Sequence, residues 1–146
     1  MQREKIASFQ VQGPSCRTSN AAEFNPLTGR IGPLWQEFAA SGLGTDLSQV
    51  FGVYFDYADR HLGEYSVMAG VKRAEAPSAG ERSVNIPAGE YLVFDCKGPM
   101  PGALIAGWGQ VWAHFAQPDA PARAYGHDFE RYLGLDHAQI CIGLKA

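Results

Sequence analysis

No stretch of this chain is apolar for long enough to cross a bilayer or serve as a secretory leader. Cysteine is scarce: Cys16, Cys96 and Cys141 lie far apart, without a Cys-x-x-Cys, which leaves no disulfide framework and points to thiols in a reducing compartment. Charge is thin and mixed, twelve basic side chains against fifteen acidic ones for a net −3, and only Lys72-Arg73 are adjacent bases. Phosphates would find no stripe to follow, so direct nucleic-acid binding is not expected. Metal and catalytic signatures are missing as well. His61, His114, His127 and His137 have no ligand spacing with cysteines or carboxylates, Gly107-Trp-Gly109 has no third glycine, and no Gly-x-Ser-x-Gly occurs. The expectation is a cytoplasmic protein with no membrane contact, no cofactor and no metal.

What is present is an ordinary globular mixture, 46% hydrophobic and 18% charged over 146 residues. That length suits one domain, in which about two-thirds of the unfolded surface can be buried. Along the chain, Lys5 to Gln12 alternates as a strand ending at a Gly13-Pro14 turn, and Cys16 to Ala22 is polar and extended. Ile31, Leu34, Trp35 and Phe38 then fall at i, i+3, i+4 and i+7, one face of a helix. Pro33 is tolerable only in a first turn, which places the start near Arg30, and Ser41-Gly42 ends it. Val50 to Tyr57 and Tyr65 to Val71 form a strand pair, with Gly52 and Tyr54 on one face of the first. Residues 72–82 break the composition and read as a linker between halves.

Beyond the linker, strands at Ser83–Ile86 and Glu90–Cys96 flank Pro87-Ala-Gly89, and a second helix follows Pro101. That helix carries one stripe of Leu104, Trp108, Val111 and Phe115 and an adjoining one of Ile105 and Trp112, so wide that burial on several sides is expected. Gly107 and Gly109 weaken it by roughly 1 kcal/mol each, which points to close packing or ligand approach. Strands at His127–Leu133 and Ala138–Lys145 close the chain. The halves run parallel: Trp35…Phe38 answers Trp112…Phe115, and Phe51…Tyr54 answers Phe129…Tyr132. The fold class expected is α+β, a single domain of two βαββ units, approximately residues 1–72 and 83–146, on one antiparallel sheet with two main helices flanking a ligand cleft.

The strand His127–Leu133 is where chemistry concentrates. Alternation puts Asp128, Glu130 and Tyr132 on one face and Phe129, Arg131 and Leu133 on the other. A carboxylate near Trp35, Trp108, Trp112, Tyr54 and Tyr65 would receive an organic cation or hold a proton ready. Each has a plainer reading: Glu130 an exposed strand residue, Trp35 and Trp112 helix-core packing, Tyr54 and Tyr65 cross-strand packing, and Asp56, Asp59 and Glu64 solvated turn residues.

The run Ser83-Val-Asn-Ile-Pro-Ala-Gly-Glu-Tyr-Leu-Val-Phe…Lys-Gly-Pro99, a Trp-bearing helix, Asp-Phe-Glu-Arg-Tyr and a closing Ile-x-Ile-x-Leu-Lys resemble the GyrI-like effector-binding domains of multidrug-responsive bacterial regulators. In the first half, Cys16-Arg-Thr-Ser-Asn…Glu23-Phe-Asn-Pro…Ile31-Gly-Pro-Leu-Trp and Tyr54-Phe-Asp-Tyr…Gly63-Glu-Tyr resemble the stand-alone, integron-cassette branch. The resemblance implies a cleft between two βαββ repeats that binds cationic lipophilic compounds, with Glu130 at the functional glutamate, Trp108 at the cleft-facing aromatic and Tyr132 two residues on. The DNA-binding segment of the regulators is not in the sequence, so a sensor or sequestering module is expected, with a transcriptional regulator as a possible protein partner. Two rivals stand beside it. Some relatives of the wider family hydrolyse strained electrophiles, which would use Glu130 as acid or base with Asp128 or His127 as a second group. An inhibitory partner-binding protein would instead show an exposed apolar patch.

Overall fold

The computed structural model describes residues 1–77 and 79–146; Ser78, inside the expected linker, lies outside them. Among the described residues nine strands make one antiparallel sheet: β1 (Gln2–Ile6), β2 (Phe9–Gly13), β3 (Ser15–Ser19), β4 (Val50–Phe55), β5 (Glu64–Lys72), β6 (Arg82–Ile86), β7 (Gly89–Lys97), β8 (His127–Gly134) and β9 (His137–Gly143). The helices are a single turn α1 (Asn20–Glu23), then α2 (Ile31–Ser41) and α3 (Gly102–Phe115). Their boundaries follow local chemistry. Helix α2 starts beside Pro33 and stops where Gly42 takes a left-handed φ of 75°.

The strand order β1-β7-β9-β8-β4-β5-β2-β6 has its seam at β4 and β8. On each side of the seam a helix is followed by two paired strands, α2-β4-β5 on one and α3-β8-β9 on the other. The fold is therefore α+β with an antiparallel sheet and two main helices. Two strands cross the expected division: β1 pairs with β7 of the second half, and β6 pairs with β2 of the first.

The N-terminal reading needs correction at two points. Lys5 to Gln12 is not one strand. β1 ends at Ile6 and pairs with β7 at one side of the sheet, while β2 begins at Phe9 and pairs with β5 and β6 at the other. Three peptide units span at most about 11 Å, so the sheet must curl until its two sides approach. The curl encloses a core of Val53, Phe55, Met68, Ile86, Val93, Phe129 and Cys141, with Phe9 5.0 Å from Phe51 and 5.4 Å from Phe129. Nor is Gly13-Pro14 a turn. β2 and β3 run along β5 in a single register, Gln12 opposite Val71 and Ser15 opposite Met68, and Pro14 is a bend between them. Proline has no N–H to give the ladder, but its carbonyl still accepts from Ala69 N at 3.1 Å. Gly13 is required there because a Cβ would strike the Ala69 carbonyl.

Both long helices lie on the outer face of the curl. α2 buries Leu34 and Phe38 against Val50, Val67, Ala69 and Val71. α3 buries Gly107 and Val111 against Leu92, Phe94, Ile140 and Ile142. Gly107 is a close-packing glycine, since a Cβ would collide with Cys96 Sγ, whereas Gly109 faces open space and serves no such purpose. The broad apolar surface of α3 is likewise not buried all round: Ile105 is 69% and Trp112 40% exposed.

Candidate functional site

Strand β8 supplies the centre. Its alternation sends Phe129 into the curl and Asp128, Glu130 and Tyr132 towards the helices. Glu130 lies opposite Gly52 on β4, at the seam of the sheet. A Cβ on Gly52 would sit 2.7 Å from Glu130 Oε1 and 3.0 Å from Trp35 Cζ2, so the missing side chain is the space the carboxylate occupies. Sequence reading placed Gly52 on this face but gave it no role; a glycine amid β-branched and aromatic strand residues was the available signal.

Glu130 is only 4% exposed. Three donors converge on it: Tyr54 Oη to Oε2 at 2.9 Å, Trp108 Nε1 to Oε2 at 2.8 Å, and Tyr132 Oη to Oε1 at 3.1 Å. Among the described residues no Lys, Arg or His pairs with it. Burial pushes its carboxyl above the ordinary 4.5, against the indole and two phenols, which favour the anion. Burial and the neighbouring carboxylate push both Tyr54 and Tyr132 upward, so both remain neutral donors.

Around this carboxylate opens a cavity of about 700 Å³. Its walls include Trp35, Tyr54, Tyr65, Trp108, Trp112, Glu130 and Tyr132, the seven expected ligand-binding residues, but not Asp128 or His127, the candidate second groups for catalysis. Rings meet edge-on or tilted: Tyr54 with Trp108 at 4.9 Å, Trp35 with Tyr132 at 5.8 Å, Tyr54 with Tyr65 at 5.9 Å. Tyr65 Oη is held by Asn20 Oδ1 at 2.8 Å. Trp112 stands at the mouth with Phe24, ring centroids 6.3 Å apart, rather than in the core. Trp35 is partly buried and forms both core and wall.

Other wall residues come from loops, where periodicity is silent. Glu23 lines the cavity and fastens α1 to α2, its carboxylate accepting from Thr18 Oγ1 at 2.5 Å, Arg30 N at 2.8 Å and Ile31 N at 3.2 Å. It thereby satisfies backbone donors at a helix start whose N-cap residue, Arg30, makes no side-chain bond. Asn20, Phe24, Tyr57, His61 and Arg123 complete this side. Asp128 shares the Glu130 face but is closed off: it accepts from Tyr57 Oη at 2.6 Å, Arg123 Nη2 at 2.8 Å and Gly143 N at 2.9 Å. His127 stacks on Phe55 and lies off the cavity wall, with burial lowering its pKa. Asp56, Asp59 and Glu64 are exposed and sit in surface ion pairs with Arg82, Arg60 and Arg17.

An antiparallel sheet with helices on its outer face and an aromatic cavity at the seam defines a small-molecule-binding domain. The chain belongs to the integron-associated effector binding proteins, whose family matches residues 4–142. It is similar to an integron cassette protein from the mobile metagenome of Vibrio cholerae, with 34% identity, a TM-score of 0.90, and coverage of 99% of this chain and 95% of that one. A putative transcription regulation protein from Staphylococcus aureus shares the fold at 20% identity and a TM-score of 0.77, covering 99% and 97%. So does a protein solved bound to tetraphenylphosphonium, at 21% identity and a TM-score of 0.75, covering 99% and 93%. No curated protein matches the chain. No described helix is long and apolar enough to cross a membrane.

Proposed function

We propose that the cavity binds cationic, lipophilic or aromatic organic compounds, with Glu130 as counter-ion, and that the protein acts as a cytoplasmic sensor or sequestering module. One observation carries this reading: a buried carboxylate ringed by hydrogen-bond donors yet without a basic partner among the described residues. Removing a carboxylate from water costs several kcal/mol, and a cation at about 4 Å returns roughly 4 kcal/mol at an effective dielectric near 20. Cation–π contacts with Trp35, Trp108, Tyr54 or Tyr132 add roughly 0.5 to 2 kcal/mol each and depend little on the shape of the guest. Charge is thus selected while the rest of the molecule is left free. The tetraphenylphosphonium held by the structural relative is a ligand of this chemistry.

A hydrolytic role would need a second available acid or histidine: Asp128 has its carboxylate tied up by Tyr57, Arg123 and Gly143 N, and Glu23 by Thr18, Arg30 N and Ile31 N, which leaves His61 as the wall residue that could serve it. The exposed apolar side chains Phe24, Ile105 and Trp112 line the cavity mouth, which fits ligand access better than a separate docking face. The test is thermal. A rhodamine ester cation raises the melting temperature of the wild type and not that of Glu130→Gln, while an anionic dye of similar size raises neither. Equal shifts for wild type and Glu130→Gln would overturn the proposal.

A further inference from the structure

The wall of the cavity carries a second charged group. Arg123 is 7% exposed and lines it, whereas its partner Asp128 is fully buried and does not. The ion pair therefore stands with its carboxylate behind and its guanidinium in front. Asp128 is shared among three donors, Tyr57, Arg123 and Gly143 N. The guanidinium, with five donor hydrogens, makes one side-chain hydrogen bond among the described residues, to Asp128, and its buried Nε has no partner. Its plane is held by aromatic rings, 4.3 Å from the Tyr125 centroid and 5.6 Å from that of Phe115. A guanidinium fixed by stacking, with donors to spare and facing a cavity, is a preorganised receptor for an anionic acceptor.

Asp128 and Glu130 are two residues apart on one face of β8, about 7 Å along the strand, and Arg123 is bonded to the first of them. Tyr54, Tyr65 and Tyr57 fill the interval, with successive ring centroids 5.9 and 5.8 Å apart. From these observations we propose that Arg123 forms a second subsite that takes the carboxylate of a ligand whose cationic group sits at Glu130, so that the cavity selects zwitterions with an aromatic spacer. This rests on the cation reading of Glu130 and extends it.

The alternative is that Arg123 only pins residues 122–125 against the last strand, where Ala124 N bonds Gly143 O and Lys145 N bonds Ala122 O. A purely structural arginine would not distinguish an acid from its ester. Calorimetric titration therefore compares para-(trimethylammoniomethyl)benzoate with its methyl ester. Wild type is expected to bind the acid about tenfold more tightly, as a charge-assisted pair provides. The double variant Arg123→Met/Asp128→Asn removes both charges and strands neither; there the acid weakens about tenfold and the ester changes less than about twofold. If that variant does not fold, Arg123→Lys, which keeps the pair with Asp128, shrinks the preference for the acid. A wild type that binds the ester as tightly as the acid or more tightly, or a folded variant that keeps the acid preference, overturns the subsite and leaves the cation reading standing. Binding of neither compound overturns both.

Discussion

Gly52 and Glu130 face each other across the β4–β8 seam, and the carboxylate occupies the volume that any other residue at position 52 would fill. Substituting Gly52→Ala places a methyl 2.7 Å from Glu130 Oε1, the free end of a side chain that can swing aside. Stability should fall by no more than about 2 kcal/mol, while cation affinity drops by about tenfold or more as the carboxylate leaves its donors. Thermal melts beside dye titration read the two effects separately. Unchanged affinity would show that the carboxylate position is not what selects the ligand.

Glu130 gives the free protein a pH dependence of definite sign. Its folded pKa is raised above the ordinary 4.5, so the contribution of this group is fully present below that value and lost as pH rises through the raised one. Glu130→Gln cannot ionise and lacks that loss. The melting temperature of the variant, relative to wild type, should therefore climb as pH rises through the raised pKa, and a flat difference would contradict the burial argument.

Ligand binding runs the opposite way. Only the ionised carboxylate attracts a cation, so affinity falls as pH drops through the raised pKa and the acid reprotonates. Tyr132→Phe removes a donor to the anion and should move that midpoint up by about one pH unit. Fluorescence titration of one dye across pH measures both midpoints.

The mouth separates affinity from stability. Trp112 is 40% and Phe24 74% exposed, so replacing either by Ala should change stability by less than about 0.5 kcal/mol. Both rings nonetheless line the cavity and touch each other, so each loss should weaken binding of a large aromatic cation by about 1 kcal/mol and leave a small quaternary ammonium unaffected. Parallel titrations with the two ligand sizes test this.

Gly107 predicts a compensating pair. Gly107→Ala drives a methyl into Cys96 Sγ and should cost about 2 kcal/mol. With Cys96→Ala in the same chain, much of that cost should disappear. A double-mutant cycle by denaturant unfolding checks it, and simple additivity would remove the proposed contact.

Periodicity explains which parts of this architecture were legible in the sequence. Side chains on regular elements declare their face, so Glu130 and Tyr132 on β8, Tyr54 on β4, and Trp35 and Trp108 on the helices could be brought to one place from spacing and resemblance. Glu23, Asn20, His61 and Arg123 reach the cavity from α1 and from loops, where no period operates. Trp112 shows the limit in another way: a wide apolar stripe looks the same whether it meets a core or lines an open cavity. Gly13-Pro14 misled because the pair is a turn signal in isolation, whereas here β5 supplies a continuous partner on both sides of the bend.

The cavity is assembled from parts of unequal stiffness. Glu130, Tyr54 and Tyr132 are carried by adjacent strands stitched together by ladder hydrogen bonds, while α2 and α3 rest on the sheet mainly through apolar contacts. A helix held mainly by greasy contacts, with few directional bonds such as Trp108 to Glu130, shifts by a fraction of a side chain more readily than a strand in mid-sheet. Under the proposed function, discrimination by charge would rest on the stiff part and accommodation of size on the yielding part, so one small protein could be strict about the first property of a guest and lenient about the second.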